Sequence, residues 1–237
     1  MEYDLSLAIP FYNEEQCVKK VVNELVDVFR NKRVNYELIL VNNGSTDRTL
    51  TILKKETKKN RHLKLLNYKK NINPGRAIIE GMKKATGKYV GYTAGDGEIS
   101  ANDIHKVYEV LVVKKHDICK TIRLKRKDGF LRILLSKIFN LLVFILFGLK
   151  LTDINGYPLI MKREVWKETT PKIRNWMINL DVLYKCKQKN FKIGEVEIAH
   201  RERVGEKSKF YNASNPFEMF KLFTMFKDLI IYRLYGR

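Results

Sequence analysis

Cysteine is scarce in this sequence. The chain has only Cys17, Cys119 and Cys186 among its 237 residues, and no C-x-x-C pair occurs. This excludes a dense disulfide framework and gives no sign of a thiolate zinc site, so a reducing compartment is favoured. The N-terminal stretch MEYDLSLAIPFYNEE carries acids where a signal peptide would carry bases, and its apolar run is too short. We therefore expect a protein that is made and kept in the cytoplasm.

Acidic residues are outnumbered by basic ones. The chain has 26 Asp and Glu against 46 Lys and Arg, which gives a formal net charge of +20. Such an excess favours an anionic partner: nucleic acid, an acidic membrane surface or a phosphorylated substrate. No motif that interleaves aromatic and basic residues for nucleic-acid recognition is present, because the aromatic residues lie in apolar runs. We therefore expect no nucleic acid among the partners.

Long hydrophobic runs are also missing. The uncharged apolar stretch 138–149 has about twelve residues between Lys137 and Lys150, whereas a membrane span needs about 20. Three interpretations remain: a buried core helix, a transmembrane helix, or an amphipathic helix on an anionic membrane surface. The stretch 217–235 has a similar character, and packing on the sheet explains it equally well. No longer apolar segment follows residue 150, so we expect any membrane attachment to be peripheral.

The first half of the chain alternates short apolar runs with segments of helical period. The runs LSLAIPF, YELILVNNG, HLKLLNYKKN and KYVGYT predict four strands. The segments between them predict helices, with Asn13 as one N-cap, Ser45 or Asp47 as the next, and Gly87 closing the third. This alternation predicts an α/β fold with a parallel, Rossmann-like sheet.

Polar residues follow the predicted strands. Asn13 and Glu14 come after the first strand, the pair 42–43 ends the second, and Asp96 and Glu98 come after the fourth. Ligands of parallel sheets bind at the carboxyl ends of the strands. The sequence therefore predicts a ligand site at this edge.

The same residues lie in motifs that resemble a known family. The stretches AIPFYNEE, LILVNNGSTDRT and NPGRAIIEGMKKATGKYVGYTAGDGE resemble family 2 glycosyltransferases of the GT-A fold. The stretches RILLSKIFNLLVFILFGLKLTDINGYPLIMKREVW and RERVGEKSKF resemble the branch of dolichol-phosphate mannosyltransferases and polyprenyl-phosphate glycosyltransferases. The resemblance covers about residues 4–212, and the order of the motifs is more specific than any one of them.

This resemblance implies roles for individual residues on the donor side. Asp96 and Glu98 match the end of the metal motif, so Mg²⁺ or Mn²⁺ is expected as cofactor, with Asp96 also counted as catalytic and as a donor-binding residue. The residues that match nucleotide-sugar binders are Pro10, Tyr12, Asn13, Glu14, Asn42, Asn43 and Gly75.

The resemblance also implies an acceptor side with a phosphate group. Asp153 matches an acid that follows the interface helices, and Arg203 lies in the loop that closes over the phosphates; both are counted as catalytic. Asp181 stands where the wider family has an acid near the acceptor. The residues that match acceptor-phosphate binders are Arg123, Arg132, Ser136, Ser208 and Lys209.

Four positions depart from the family pattern. Ala94 stands in place of the first metal-motif Asp, Asn42 and Asn43 replace two acids, and Arg76 replaces a small residue. A metal ion would then depend on two carboxylates, water and the diphosphate, which Mg²⁺ or Mn²⁺ tolerates. The alternative is an inactive site, or acids that only cap a helix.

The function implied is transfer of a sugar from a nucleotide-sugar, GDP-mannose or a UDP-hexose, to a polyprenyl or dolichyl phosphate with inversion. Two alternatives remain, a transferase for a polysaccharide or glycolipid hydroxyl and a non-catalytic sugar-nucleotide binder. We expect one GT-A domain in three parts: a nucleotide-sugar half (1–130), an acceptor half (131–212) and an amphipathic segment (213–237). Peripheral attachment to the cytoplasmic face of a membrane is expected, and the oligomeric state is left open.

Overall fold

The structure is a computed structural model that describes residues 3–124, 130–173, 175–199, 201 and 226–234, with the backbone alone at 130–133 and 135. The strands are β1 (Leu5–Phe11), β2 (Tyr36–Asn43), β3 (Leu63–Tyr68), β4 (Tyr89–Tyr92), β5 (Ile118–Leu124), β6 (Leu159–Lys162) and β7 (Ile193–Ala199). The helices are α1 (Val18–Asn31), α2 (Thr49–Lys59), α3 (Pro74–Met82), α4 (Ala101–Val113), α5 (Phe130–Phe147), α6 (Arg163–Thr169), α7 (Ile178–Gln188) and α8 (226–234).

All seven of these strands form one sheet in the order β3-β2-β1-β4-β6-β5-β7. Only β6 runs antiparallel to its neighbours, β4 and β5; the other pairs are parallel. The carboxyl ends of six strands therefore meet at one edge. The predicted Rossmann-like, mostly parallel α/β fold is confirmed.

The sheet is covered on both faces, as parallel sheets require. Every residue of β2 is buried, and α1, α2 and α4 pack on one face. The other face is covered by α3, α5, α6, α7 and α8. Side chains at the carboxyl edge therefore stand on a rigid support.

Asn13 is not an N-cap, contrary to the prediction. The helix begins at Val18 after Cys17, and Asn13 has a left-handed backbone with φ 54°. The amide oxygen of Asn13 accepts a hydrogen bond from the Thr46 N–H at 2.8 Å. Asn is one of the residues that tolerate this conformation. Asn13 therefore lies in a turn before α1 and does not cap the helix.

The other two predicted helix ends also differ from the structure. Helix α2 begins at Thr49 after Arg48, so neither Ser45 nor Asp47 is its N-cap residue. Asp47 still binds the first turn, because the Thr49 N–H donates to Asp47 Oδ1 at 2.9 Å. Helix α3 ends at Met82, before Gly87. The N–H of Gly87 donates to Ser6 Oγ at 2.7 Å, and a Cβ at this glycine would lie 2.7 Å from the same oxygen. Gly87 is therefore needed for close approach to β1.

Helix α5 carries apolar side chains on opposite faces. Phe139, Val143 and Phe147 are buried in the core. The large apolar side chains that α5 leaves exposed are Leu134, Ile138, Leu141, Phe144 and Ile145. The described residues include no helix with both the length and the apolar character to cross a bilayer.

Helix α8 packs on α5 and repeats this division. Its Tyr232 ring stacks on the Phe147 ring with centroids 5.7 Å apart, and Leu229 is fully buried. Ile230, Ile231 and Leu234 are exposed. The two helices thus place apolar side chains in solvent while their other faces belong to the core.

Asp181, on α7, anchors α8 from within the core. Its carboxylate is fully buried and accepts a hydrogen bond from the Tyr232 hydroxyl at 2.8 Å. It also accepts from the Lys172 N–H at 2.9 Å and pairs with Lys185 at 2.9 Å. These contacts hold α8 and the chain before α7, and the predicted place of Asp181 near the acceptor stays a prediction.

Candidate active site

The loops after β1 and β2 are locked together by side-chain hydrogen bonds. The Asn13 N–H donates to Ser45 Oγ at 3.1 Å, and the Glu14 N–H donates to Thr49 Oγ1 at 2.8 Å. Tyr12 remains exposed at the edge. The structure therefore brings the predicted donor-binding loop and the turn after β2 into direct contact.

The amides of Asn42 and Asn43 are almost completely buried. Asn42 Nδ2 donates to Asn67 Oδ1 at 2.8 Å, and Asn43 Oδ1 accepts from the Ile72 N–H at 2.9 Å. An amide can both donate and accept, unlike a carboxylate. These two side chains hold the turns after β2 and β3, and their predicted contact with the base stays a prediction.

The start of α3 accommodates both Gly75 and the unusual Arg76. Asn73 caps the helix, because its Oδ1 accepts from the Arg76 N–H at 2.9 Å. Gly75 is buried in the first turn, whereas the Arg76 side chain is exposed. The larger residue is therefore tolerated without displacing the helix.

Asp96 and Glu98 stand in a tight turn after β4. Asp96 Oδ1 accepts from the Glu98 N–H at 3.1 Å, and Gly97 between them has φ +76°. A Cβ on Gly95 would lie 2.5 Å from the Phe11 ring. Glycines thus allow the turn to fold against β1 while both acids remain partly exposed.

These acids do not cap the following helix. Ser100 is the N-cap of α4, and its Oγ accepts from the Asp103 N–H at 3.0 Å. The capping alternative for Asp96 and Glu98 is therefore wrong. Within the described residues no group of three His, Cys, Asp or Glu side chains could hold a metal ion. Two carboxylates two residues apart suit a hard cation whose other ligands are water and phosphate oxygens.

Cys17 links the Asp96 turn to the loop after β1. The Cys17 thiol lies 3.5 Å from the Gly95 carbonyl oxygen and 3.3 Å from Glu14 Oε2, within hydrogen-bond range for sulfur. This residue was not predicted to contribute to the site. The proximity of residues 78 apart in sequence follows from the pairing of β1 with β4.

A buried ion pair closes the other side of the edge. Arg123, on β5, donates from Nε to Asp153 Oδ2 and from Nη2 to Asp153 Oδ1, both at 2.7 Å. The Arg123 N–H also donates to Asp153 Oδ2 at 3.2 Å. Such a forked pair fixes both side chains. The structure therefore brings together two residues that the sequence analysis assigned separately to phosphate binding and catalysis.

The protonation of Asp153 is set by this pair. Burial alone would raise the pKa of its carboxyl, but hydrogen bonds and charge from Arg123, with the Lys120 charge, outweigh burial and lower the pKa. Asp153 is therefore an ionised, fully engaged carboxylate at neutral pH.

Tyr157 connects the ion pair with the metal-motif turn. Burial raises the pKa of Tyr157 to about 12, the Arg123 charge opposes this rise, and the Asp96 charge adds to it. The charges of Arg123 and Asp96 therefore both affect the pKa of this phenol. The Asp96 turn follows β4 and Arg123 lies near the end of β5, so both stand at the carboxyl edge of the sheet.

Helix α5 directs one face at this region. Asn140 Oδ1 accepts from the Ile154 N–H at 3.4 Å. Ser136 lies one turn before Asn140, on the same face of the helix, and Arg132 precedes Ser136 by four residues. Asn140 was not predicted, although it is the one amide within the apolar stretch 138–149.

The predicted residues Arg203, Ser208 and Lys209 and the side chain of Arg132 lie outside the described residues. The chain that leads to them is anchored at Arg201. Its N–H donates to the Glu98 carbonyl at 3.0 Å, and its guanidinium pairs with Glu24 at 2.9 Å.

The family description "Glycosyl transferase family 2" matches residues 6–186. The chain belongs to this family. A dodecaprenyl-phosphate galacturonate synthase from Rhizobium johnstonii is 29% identical over 91% of this chain and 64% of its own length. A dolichyl-phosphate β-glucosyltransferase from Dictyostelium discoideum is 25% identical over 89% of this chain and 70% of its length. The chain thus spans less than two thirds of the first relative.

Solved structures agree with the fold. Glucosyl-3-phosphoglycerate synthase from Mycobacterium tuberculosis, in complex with Mn²⁺, UDP and glucosyl-3-phosphoglycerate, superposes with a TM-score of 0.74 at 14% identity. The match covers 98% of this chain and 80% of that enzyme. The predicted GT-A fold and the glycosyltransferase family are therefore confirmed.

The Arg123–Asp153 pair predicts a pH-dependent loss of stability in Arg123→Gln. Because the pKa of Asp153 is lowered in the folded protein, its carboxylate stabilises the fold above its unfolded pKa of about 3.9, and this contribution is lost as pH falls through the folded pKa. The variant leaves a buried carboxylate without its cation. We expect a loss of about 3 kcal/mol at pH 7 that shrinks towards pH 3.

Denaturant unfolding between pH 7 and pH 3 measures this difference. Arg48→Gln is the control, because Arg48 forms an exposed pair with Glu15 and should change little at any pH. A loss in Arg123→Gln that does not vary with pH would contradict the assignment.

Proposed function

We propose that this protein transfers a sugar from a nucleotide-sugar to a polyprenyl phosphate. The observation that carries the proposal is the forked Arg123–Asp153 pair at the carboxyl end of β5, which engages both oxygens of the predicted catalytic acid. The names of the two curated relatives, each a lipid-phosphate sugar transferase, support it.

The donor binds at the loops after β1, β2 and β4 in this proposal. Asp96 and Glu98 would hold Mg²⁺ or Mn²⁺, and the ion would supply positive charge for the leaving diphosphate. Solved relatives carry Mn²⁺ or Mg²⁺ with UDP, so UDP-linked sugars are the first donors to test and GDP-mannose remains a candidate.

The acceptor is a phosphate because the site offers no suitable general base at Asp153. A base works best with a pKa near the operating pH, whereas the pKa of Asp153 is lowered and both of its oxygens accept from Arg123. A lipid phosphate is already anionic at neutral pH and needs no such base. This favours the phosphate acceptor over a hydroxyl.

The chain's own residues then bind and orient two anions. Arg123, while paired with Asp153, binds the acceptor phosphate in this proposal together with Ser136 and Arg132 of α5. An oxygen of the acceptor phosphate attacks the anomeric carbon, the bond to the diphosphate breaks, and the nucleoside diphosphate leaves with the electron pair. One displacement of this kind inverts the anomeric configuration.

The exposed apolar faces of α5 and α8 contact the membrane that holds the acceptor. Eight of the twelve large apolar side chains exposed in the described residues lie on these two helices. Clustered exposed apolar side chains mark interaction surfaces, and the bases Lys137 and Lys150 suit an anionic leaflet. Attachment at the cytoplasmic face stays part of the proposal.

The proposal predicts lipid-linked sugar from one donor. The protein is mixed with polyprenyl phosphate, Mn²⁺ and each of a panel of UDP- and GDP-sugars, and lipid extracts are assayed. We expect one donor to give product, chelation of the metal to abolish it, and Asp96→Asn to lower the rate at least about 100-fold because a metal carboxylate is lost.

Asp27→Asn is the matched control, because Asp27 is an exposed acid on α1 that is not among the predicted site residues. It should keep the wild-type rate. Binding of a donor without product from any of them would sink the proposal and favour a non-catalytic binder.

The apolar faces predict vesicle binding that depends on α5. Replacing Ile138 and Leu141 by Ser removes two exposed apolar side chains, and we expect binding to anionic vesicles to weaken at least about 10-fold. Cosedimentation measures it. The control replaces Val112 and Val113, exposed on α4, by Ser. Equal loss in both double variants would contradict a membrane face on α5.

A further inference from the structure

Lys120 is a completely buried lysine in β5 that the mechanism above does not use. Its side chain has no exposed surface. The Lys120 Nζ donates to the Thr121 carbonyl at 2.8 Å and to the Thr152 carbonyl, and it pairs with Glu195 Oε1 at 3.1 Å. Burying a charge is costly unless it is paired and hydrogen-bonded. Its amino group cannot reach a substrate from this position, so any role must pass through its partners.

The partners converge on one residue, Thr152. Lys120 and Glu195 lie directly opposite each other on the parallel strands β5 and β7. Glu195 Oε1 accepts from the Thr152 N–H at 3.0 Å, while Lys120 donates to the Thr152 carbonyl. One cross-strand ion pair thus holds both backbone polar groups of the same residue.

Thr152 directly precedes Asp153, whose backbone needs support. Asp153 has φ 51°, in the left-handed region that residues other than glycine adopt at a cost. Its side chain must also meet Arg123, three residues after Lys120 on β5. Hydrogen bonds to the Thr152 peptide therefore fix the backbone position from which the Asp153 side chain extends.

We propose that Lys120 and Glu195 are positioning residues, which hold the Thr152 peptide and thereby set Asp153 and Arg123 for the acceptor phosphate. This inference rests on the proposed function. It goes beyond that function because neither residue touches the acceptor, and both act through the backbone before Asp153.

The chain offers a matched control for a purely structural ion pair. Lys162, at the end of β6, pairs with Asp117 at 2.7 Å. Because Asp117 precedes β5, this pair lies at the opposite edge of the sheet from Asp153. Lys162→Met therefore removes a cross-strand pair of similar kind without touching the Thr152 peptide.

The first test compares steady-state kinetics of Lys120→Met, Glu195→Ala and Glu195→Gln with Lys162→Met. For Lys120→Met and Glu195→Ala we expect kcat/KM for polyprenyl phosphate to fall by about 10-fold to about 100-fold, because misplacement of a reacting group by about 1 Å costs that much. The KM for the nucleotide-sugar should stay within about twofold of wild type. Glu195→Gln keeps an oxygen that accepts from Thr152 and Lys120, and it should recover most of the loss.

The second test needs no activity. Amide hydrogen exchange is measured by mass spectrometry on the peptide that covers residues 150–157 in the free protein. We expect faster exchange in Lys120→Met and Glu195→Ala than in wild type and Lys162→Met. Glu195→Ala carries both tests if Lys120→Met fails to fold, since the Glu195 side chain is 22% exposed.

The outcomes separate the two proposals. A wild-type protein that makes no lipid-linked sugar overturns the proposed function, while the exchange measurement still decides whether the pair holds the Thr152 peptide. An active wild type whose Lys120 and Glu195 variants match Lys162→Met in kinetics and exchange overturns the positioning role. Equal rises in KM for donor and acceptor would also overturn it.

Discussion

The ion pair between Arg123 and Asp153 is the interaction on which the acceptor side of the site depends. It joins the end of β5 to the turn before β6 through three hydrogen bonds. Either charge alone would be costly at this depth, so each residue requires the other. The pair also keeps the carboxylate ionised and engaged, which removes it as a base. The same contact thus links β5 to the turn before β6 and favours a phosphate acceptor over a hydroxyl.

The donor side uses neutral side chains for a comparable purpose. Asn13, Asn42 and Asn43 hold loops by hydrogen bonds in which an amide oxygen accepts or an amide nitrogen donates. This leaves Asp96 and Glu98 as the carboxylates of the turn after β4. Because Ala94 supplies no third carboxylate, oxygens of the donor diphosphate would complete the metal site that we propose. Cys17 and Gly95 bring that turn against β1.

Local patterns predicted the first four strands because each is a short apolar run bounded by turn residues, and parallel pairing then places their polar ends together. The strands β5, β6 and β7 were not predicted. Asn13 was misassigned because caps and left-handed turns use the same residue type. The Lys120–Glu195 pair could not be predicted, since it depends on the register between strands whose paired residues are 75 positions apart. Asn140 could have been noticed in the sequence as a lone amide in an apolar stretch. Its hydrogen bond with Ile154 could be found only from the fold.

The most direct measurement compares polyprenyl phosphate with the unphosphorylated polyprenol of the same chain length. Both are presented in identical vesicles with the same donor and metal ion, and formation of lipid-linked sugar is followed. The account predicts product from the phosphate alone, because the proposed acceptor side has arginines to bind a second anion and because Asp153, engaged by Arg123, is not available as a base for a hydroxyl. Product from the polyprenol at a similar rate would contradict it.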